Sequence, residues 1–442
     1  MPPISRESLN RVFNDTVEAM ATDIKDVTHA VEAAAVMGLV RGRPRLLALG
    51  EPTHGEDALL DVRNELFRQL VEQEGYRTIT IESDCLRGLL VDAYVTTGAG
   101  TLDEAMGKGF SHGWGASAAN RELVRWMRAF NDGRPAGDRV RFAGFDGPLE
   151  ITGAESPREA LTALRGYLSA RVDADLLDAT CDASTLDRLL GPDDRWTHPD
   201  AMTDPSRSAG RSAEATELRL LADDLVALLD TQRPHLIATS SRDDWDRARL
   251  YGRTATGLLR YHYWTADTSP QRMTRLVSLR DRMMADNLLA LAGADTDAAA
   301  VGAAGPEPLA DRAPVLVHAH NGHLQRSLST MRMGGRPVEW WSAGAIVSAR
   351  LGARYAFLAT ALGTIRHRGV DAPPRDTVEG LLYAGQEECS VVDARGLAAS
   401  FGDVPPAPRV SPWFGYAPLD PAHLADIEGL VFVKDVREAG GV

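Results

Sequence analysis

The stretch RLLALGEPTHGE, residues 45–56, limits what this chain can fold into more than any other. An apolar run, Leu46 to Leu49, stops at Gly50-Glu51-Pro52-Thr53-His54-Gly55, and an apolar run cut off by Gly and Pro reads as a buried strand entering a tight loop. Residues 56–74 then carry apolar groups at helical spacing. Strand, loop and helix in that order put Glu51 and His54 at a strand's carboxyl end, the edge where open α/β sheets bind ligands. An architectural use is also open, with Thr53 capping the helix and Glu56 completing a capping box.

Gly75 breaks that helix, and residues 77–82, RTITIE, read as a second strand ending in Glu82. Strand, helix and strand over so short a span form a parallel unit whose two strand ends share one edge. Residues 84–95 and 122–130 read as helices, and residues 139–146, RVRFAGFD, as a third strand ending in Asp146. A helix cap would explain any one of these acids. Residues 313–323, APVLVHAHNGH, return to strand character and end in His318, His320 and His323, with Asn321 and Gly322 between them. Further strands are expected at 355–362, 390–393 and 430–433, and helices at 343–351, 377–382 and 421–426. Glu51, His54, Glu82, Asp146, His320 and His323 all follow apolar runs, so a shared site is expected.

The middle of the chain differs. Residues 158–168, 213–229, 243–264 and 274–291 read as helices with no convincing strand among them, and 191–212 reads as a polar loop. Residues 292–312, rich in Ala, Gly, Asp and Pro, read as a connection, and residues 5–40 as a helix broken near Thr28. The expected fold is α/β, a mostly parallel central sheet with flanking helices and a large helical insertion or lid. An N-terminal α/β half (1–155) carries the GExxHG loop, the insertion spans 156–295, and a C-terminal α/β half (296–442) carries the HNxH loop, all forming one catalytic unit. Tyr251, Tyr261, Tyr263 and Trp264 serve either as pocket lining or as helix packing.

Composition narrows the function. A chain of 442 residues can bury a large core, and a formal net charge of −14 without a basic run argues against nucleic acid or an anionic membrane as partner. Lysine occurs only at 25, 108 and 434, which disfavours Schiff-base chemistry. Cys85, Cys181 and Cys389 lie far apart with no CxxC, no signal-type apolar core opens the chain, and no run is apolar enough to span a bilayer. A reduced, cytoplasmic, soluble protein is expected; oligomeric state is not legible.

The inventory suits water-mediated ester cleavage. His54 can act as general base, an adjacent carboxylate can orient it, and a second histidine or an arginine can stabilise an oxyanion or protonate the leaving alkoxide. Two other chemistries use the same groups: a metal-dependent hydrolase, since Glu and His are good ligands, and an elimination with His54 taking a proton from carbon. Gly109-Phe110-Ser111-His112-Gly113 matches G-x-S-x-G, but it follows a helix-like stretch rather than a strand. A binding protein that keeps the fold without catalysis is disfavoured by intact Glu51, His54 and Glu82.

GEPTHG after a strand, a following helix with Arg63, a strand ending in Glu82, GFD at 144–146, RDRMM at 280–284 and AHNGH at 319–323 together resemble the erythromycin esterase family. The resemblance runs from about Arg45 to Val433 and is loosest over residues 156–267. It implies a cleft lined by acids and histidines under covering helices, and hydrolysis of an ester or lactone of a natural-product-like small molecule, macrolide antibiotics among them, with no acyl-enzyme and no cofactor. By the same likeness His54 matches the water-activating base, Glu51 and Glu82 its supporting carboxylates, Arg63 an arginine of the site, and His320 and His323 the paired histidines. Arg87 departs from the macrolide-degrading members, which carry an acid there. Asp146, Arg87, His112, Trp114 and Asn321 are the expected substrate contacts.

Overall fold

A computed structural model of the chain describes residues 28–438 except 151–152, 295–311, 334, 386, 402–404, 412 and 414. In chain order its strands are β1 (Thr28–His29), β2 (Leu46–Glu51), β3 (Thr78–Asp84), β4 (Arg141–Asp146), β5 (Leu149–Glu150), β6 (Gly153–Ala154), β7 (Val315–His320), β8 (Leu328–Met333), β9 (Arg336–Trp341), β10 (Tyr355–Thr364), β11 (Cys389–Asp393) and β12 (Gly429–Asp435). Eight form one sheet in the order β1-β11-β12-β10-β2-β7-β3-β4, while β5-β6 and β8-β9 are separate hairpins. From β12 to β4 every neighbouring pair is parallel; β11 and β1 close one edge antiparallel.

Burial follows from this order. All six residues of β2 and all ten of β10 are buried, as both faces of a parallel sheet must be. On one face Leu47, Leu49, Ile79, Ile81 and Leu316 pack with Leu60 and Phe67 of the helix Asp57–Gln73 and Leu123 and Met127 of the helix Ala118–Asn131. On the other, Leu46, Ala48, Val315 and Val317 pack with Met284 and Leu288 of the helix Arg272–Ala292 and Val347 of the helix Ala343–Leu351. After β2 the chain winds one way, to β3 and β4; after β7, which lies between β2 and β3, it winds the other way to β10 and β12. That reversal opens a crevice at the carboxyl ends of β2, β7 and β3.

The helical segment flanks the β4 edge. Its helices Arg158–Ser169, Ala213–Thr231 and Arg242–Thr265 share a core through Leu164, Leu225 and Leu259, which also takes in Cys85 and Leu86 just beyond β3. Asp243, opening the longest of them, pairs with Arg141 at the start of β4, while Thr254 further along meets Cys85. That helix therefore runs alongside the edge strand. The next one, Arg272–Ala292, packs on the sheet face and brings Arg280 and Asp281 to the strand ends.

Differences from the expected elements have local causes. Most of the 5–40 helix and of the 292–312 connection lie outside the described residues; the described part opens with β1 and the helix Ala33–Leu39. The helix expected from 84 begins at Gly88, because the Asp84 carboxylate accepts from the backbone of Leu86 and Arg87 and holds a turn there. Residues 421–426 form a 3-10 turn, and the β8-β9 hairpin, LSTMRM and RPVEWW, has no continuous apolar run to mark it and is not among the expected strands.

Candidate active site

The β2 loop is held from several sides. The Pro52 carbonyl accepts from Ala417 N, Thr53 bridges to Tyr416, and Gly55 turns with φ 83°, a left-handed conformation that suits glycine. Glu56 precedes the following helix but makes no side-chain cap bond; it pairs with His367 and Arg368, so the capping-box reading fails. Glu51 is buried and its Oε1 lies 2.7 Å from His54 Nδ1. The His54 side chain stays 45 % exposed, with Nε2 3.8 Å from Glu82 Oε1. Burial opposes a charge on this ring, but the Glu82 and Glu51 carboxylates outweigh it and raise its pKa to about 9. Glu51 moves the other way: burial favours its neutral form, yet His318 and His54 hold it down at about 2.

Glu82 and Asp146, at the ends of β3 and β4, share one arginine. Arg280 Nη2 reaches Glu82 Oε1 at 2.9 Å and Asp146 Oδ2 at 2.7 Å. Burial works against both carboxylates; His323, His54 and Arg280 nevertheless keep Glu82 well below the usual range, and Arg280 with His112 lowers Asp146. Glu82 Oε2 also accepts from the His320 backbone. His112, at φ 54°, sits with Nε2 3.0 Å from Asp146 and Nδ1 2.7 Å from Glu150. Both ring nitrogens face carboxylates, so both donate, and despite burial Asp146 raises its pKa. Trp114 Nε1 donates to the Glu82 carbonyl while its ring meets the edge of His54, centroids 5.2 Å apart.

Register joins the two loops: Glu51 of β2 pairs with His320 of β7. His320 Nδ1 accepts from Gly322 N, which leaves its proton on Nε2, and burial followed by His54 depresses its pKa to about 4. His320 is thus a neutral ring whose Nε2–H meets no acceptor among the described residues, its centroid 5.3 Å from that of His54. His323 contrasts with it. Its Nδ1 lies 3.0 Å from Asp281 and its Nε2 3.4 Å from Glu82 Oε1, and these acids raise its pKa against the pull of burial.

The structure brings Glu51, His54, Glu82, Asp146, His112, Trp114, His320 and His323 together. Three expected members stand apart. Arg63 lies within electrostatic reach of Glu51, but its guanidinium bonds to Asn64 and Asn120; the arginine touching the carboxylates is Arg280. Arg87 pairs with Asp84 and Glu155 at the edge of a separate cavity of about 310 Å³, whose wall includes Ser111, Glu150, Trp196 and His262 but not His54. Asn321 bonds through its amide to both backbone groups of Thr360, tying β7 to β10. Ser111 is buried, its hydroxyl accepting from Asp84 N beside Ser83, an arrangement without the base a nucleophile needs. Among the described residues no three His, Cys, Asp or Glu side chains are arranged to hold a metal ion.

Arg280, Asp281 and His318 were not selected from the sequence as site residues. Arg280 and Asp281 fall among the buried positions Leu276, Met284 and Leu288 of an amphipathic helix, and charges on such a stripe are a signal. His318, inside the apolar run of β7, is another.

Comparison with known proteins accords with this architecture. The Erythromycin esterase family model matches residues 71–429, beginning after the GEPTHG loop. No curated protein matches the chain in sequence. Three solved structures share the fold: a Bacillus cereus protein (15 % identity, TM-score 0.67, covering 96 % of this chain and 99 % of that one); a succinoglycan biosynthesis protein (14 %, 0.67, 95 % and 97 %); and a mutant of the erythromycin esterase EreC in its open conformation (17 %, 0.59, 90 % and 92 %). With a sequence match over most of its length, the chain belongs to the erythromycin esterase family.

Proposed function

We propose that this chain hydrolyses an ester or lactone of a small natural-product-like molecule with water activated by His54. One observation carries the reading: a half-exposed imidazole at the strand ends has Nδ1 held by a buried carboxylate, while Nε2 lies 3.8 Å from a second one, Glu82. In its neutral form His54 Nε2 takes a proton from water while the water oxygen bonds to the acyl carbon. In this reading His320 Nε2–H donates to the developing oxyanion, as neutral imidazoles do elsewhere. Collapse breaks the acyl C–O bond, and the proton passes from His54 to the departing alkoxide. Glu82, held ionised, cannot supply that proton and instead steadies the cationic form of His54.

Incubation with a panel of esters and lactones, with products weighed, tests this. Hydrolysis predicts a mass gain of one water, lost in His54→Asn. A product formed by loss of a group without water would favour elimination by the same base, and a trapped acyl group on Ser111 would defeat the water mechanism. Activity that vanished with chelator and returned with one metal per chain would favour the metal hydrolase.

A further inference from the structure

Two buried polar atoms lie side by side, Glu51 Oε2 and His318 Nε2, 3.3 Å apart, and neither makes a well-formed hydrogen bond among the described residues. The other His318 nitrogen, Nδ1, is 3.0 Å from the Leu49 carbonyl oxygen. A carbonyl and a carboxylate only accept, so both ring nitrogens face acceptors. A neutral imidazole has one N–H; either tautomer turns a bare lone pair on one of these oxygens. One additional proton resolves the conflict, carried by His318 Nε2 and shared with Glu51 Oε2.

We propose that His318 is a positioning residue, sharing a proton with Glu51 and so limiting how tightly that carboxylate can hold the proton on His54. The proposal rests on the reading of His54 as the base. Glu51 stands between two rings, with Oε1 2.7 Å from His54 Nδ1 and Oε2 against His318. The charged groups facing His318 are Glu51 from β2 and Arg63 from the helix Asp57–Gln73. Burial, with Arg63, lowers the pKa of the ring on balance, against the pull of Glu51 and the Leu49 carbonyl, so the shared proton follows from the two facing acceptors and not from the titration of the ring. With His318 drawing on one carboxylate oxygen, Glu51 keeps the orientation of His54 fixed without acting on it as a full, uncompensated charge.

Histidine-selective 15N NMR of the wild-type chain reads these nitrogens directly, His318 being assigned by the loss of its signals in His318→Gln. The expected result from about pH 6 to about pH 8 is an N–H at Nδ1 together with a low-field proton between Nε2 and Glu51. A single neutral tautomer with one bare nitrogen overturns the proposal. If His318→Gln does not fold, assignment proceeds by elimination with variants of the other histidines, since the measurement is on the wild type. In folded His318→Gln, the alkaline-going limb of kcat/KM should move up by about one pH unit, because a neutral amide no longer offsets Glu51. An unmoved limb contradicts the link to His54. Failure of the hydrolase reading would appear separately, as full activity in His54→Asn, with the NMR result standing on its own.

Discussion

In the proposed mechanism the chemistry turns on His54, whose surroundings favour its cationic form at neutral pH. With a pKa of about 9, only about 1 % of the chains carry the neutral base at pH 7. Replacing His54 by Asn should lower the rate by a factor of about 10² to 10⁴ with binding retained, measured as kcat at saturating substrate. Glu51→Gln removes a carboxylate that raises this pKa, so the pH at which activity levels off should fall while the plateau drops less than in His54→Asn. Ser111→Ala should leave kcat unchanged and reduce stability by about 1 kcal/mol, read from denaturant unfolding, since its hydroxyl holds Asp84 N. Sequence alone supplied His54, Glu51, Glu82 and both histidines of HNxH, because each ends an apolar run. It did not supply the protonation state, which depends on Glu82 arriving from a different strand.

Among the elements, the helix Arg272–Ala292 contributes most to the site for its distance from it in sequence. Its Arg280 separates Glu82 from Asp146, and without it two buried carboxylates lose their shared counter-charge. Arg280→Met should cost about 3–5 kcal/mol of stability, and thermal or urea unfolding would measure it. A loss below about 1 kcal/mol would show that the arginine is not the electrostatic centre. The β2–β7 junction has a steric requirement as well. A Cβ on Gly50 would lie 2.1 Å from Asn321 Oδ1, which is already engaged by Thr360 and has little room to yield. The strands were legible because buried parallel strands write themselves as continuous apolar runs. The placement of Arg280 was not, since helical periodicity gives a face but not the partner against which that face packs.

At the scale of the whole molecule, the sheet gathers residues far apart in sequence at one edge, and their charges tie stability to pH. Glu51, Glu82 and Asp146 all have folded pKa values below their ordinary ones, so their contribution is complete above the unfolded value of about 4.5 for Glu or 3.8 for Asp and is lost as pH falls through the folded values. The raised His54 and His323 contribute in the opposite sense: their stabilisation is complete below about 6.5 and is lost as pH rises through the folded values. The α/β class and a helical middle segment could be read from alternating patterns. The strand order could not, because β7 inserts between β2 and β3 from some 240 residues away, as the pairing of Ile81 with His318 shows. The central claim, a water-activating His54 whose pKa two carboxylates raise, is tested most directly by the pH dependence of kcat/KM for the wild-type chain on its best ester or lactone. The account predicts a rise of about tenfold per pH unit from about pH 6, levelling near 9. A profile that is flat over that range, or that falls as pH rises, would contradict it.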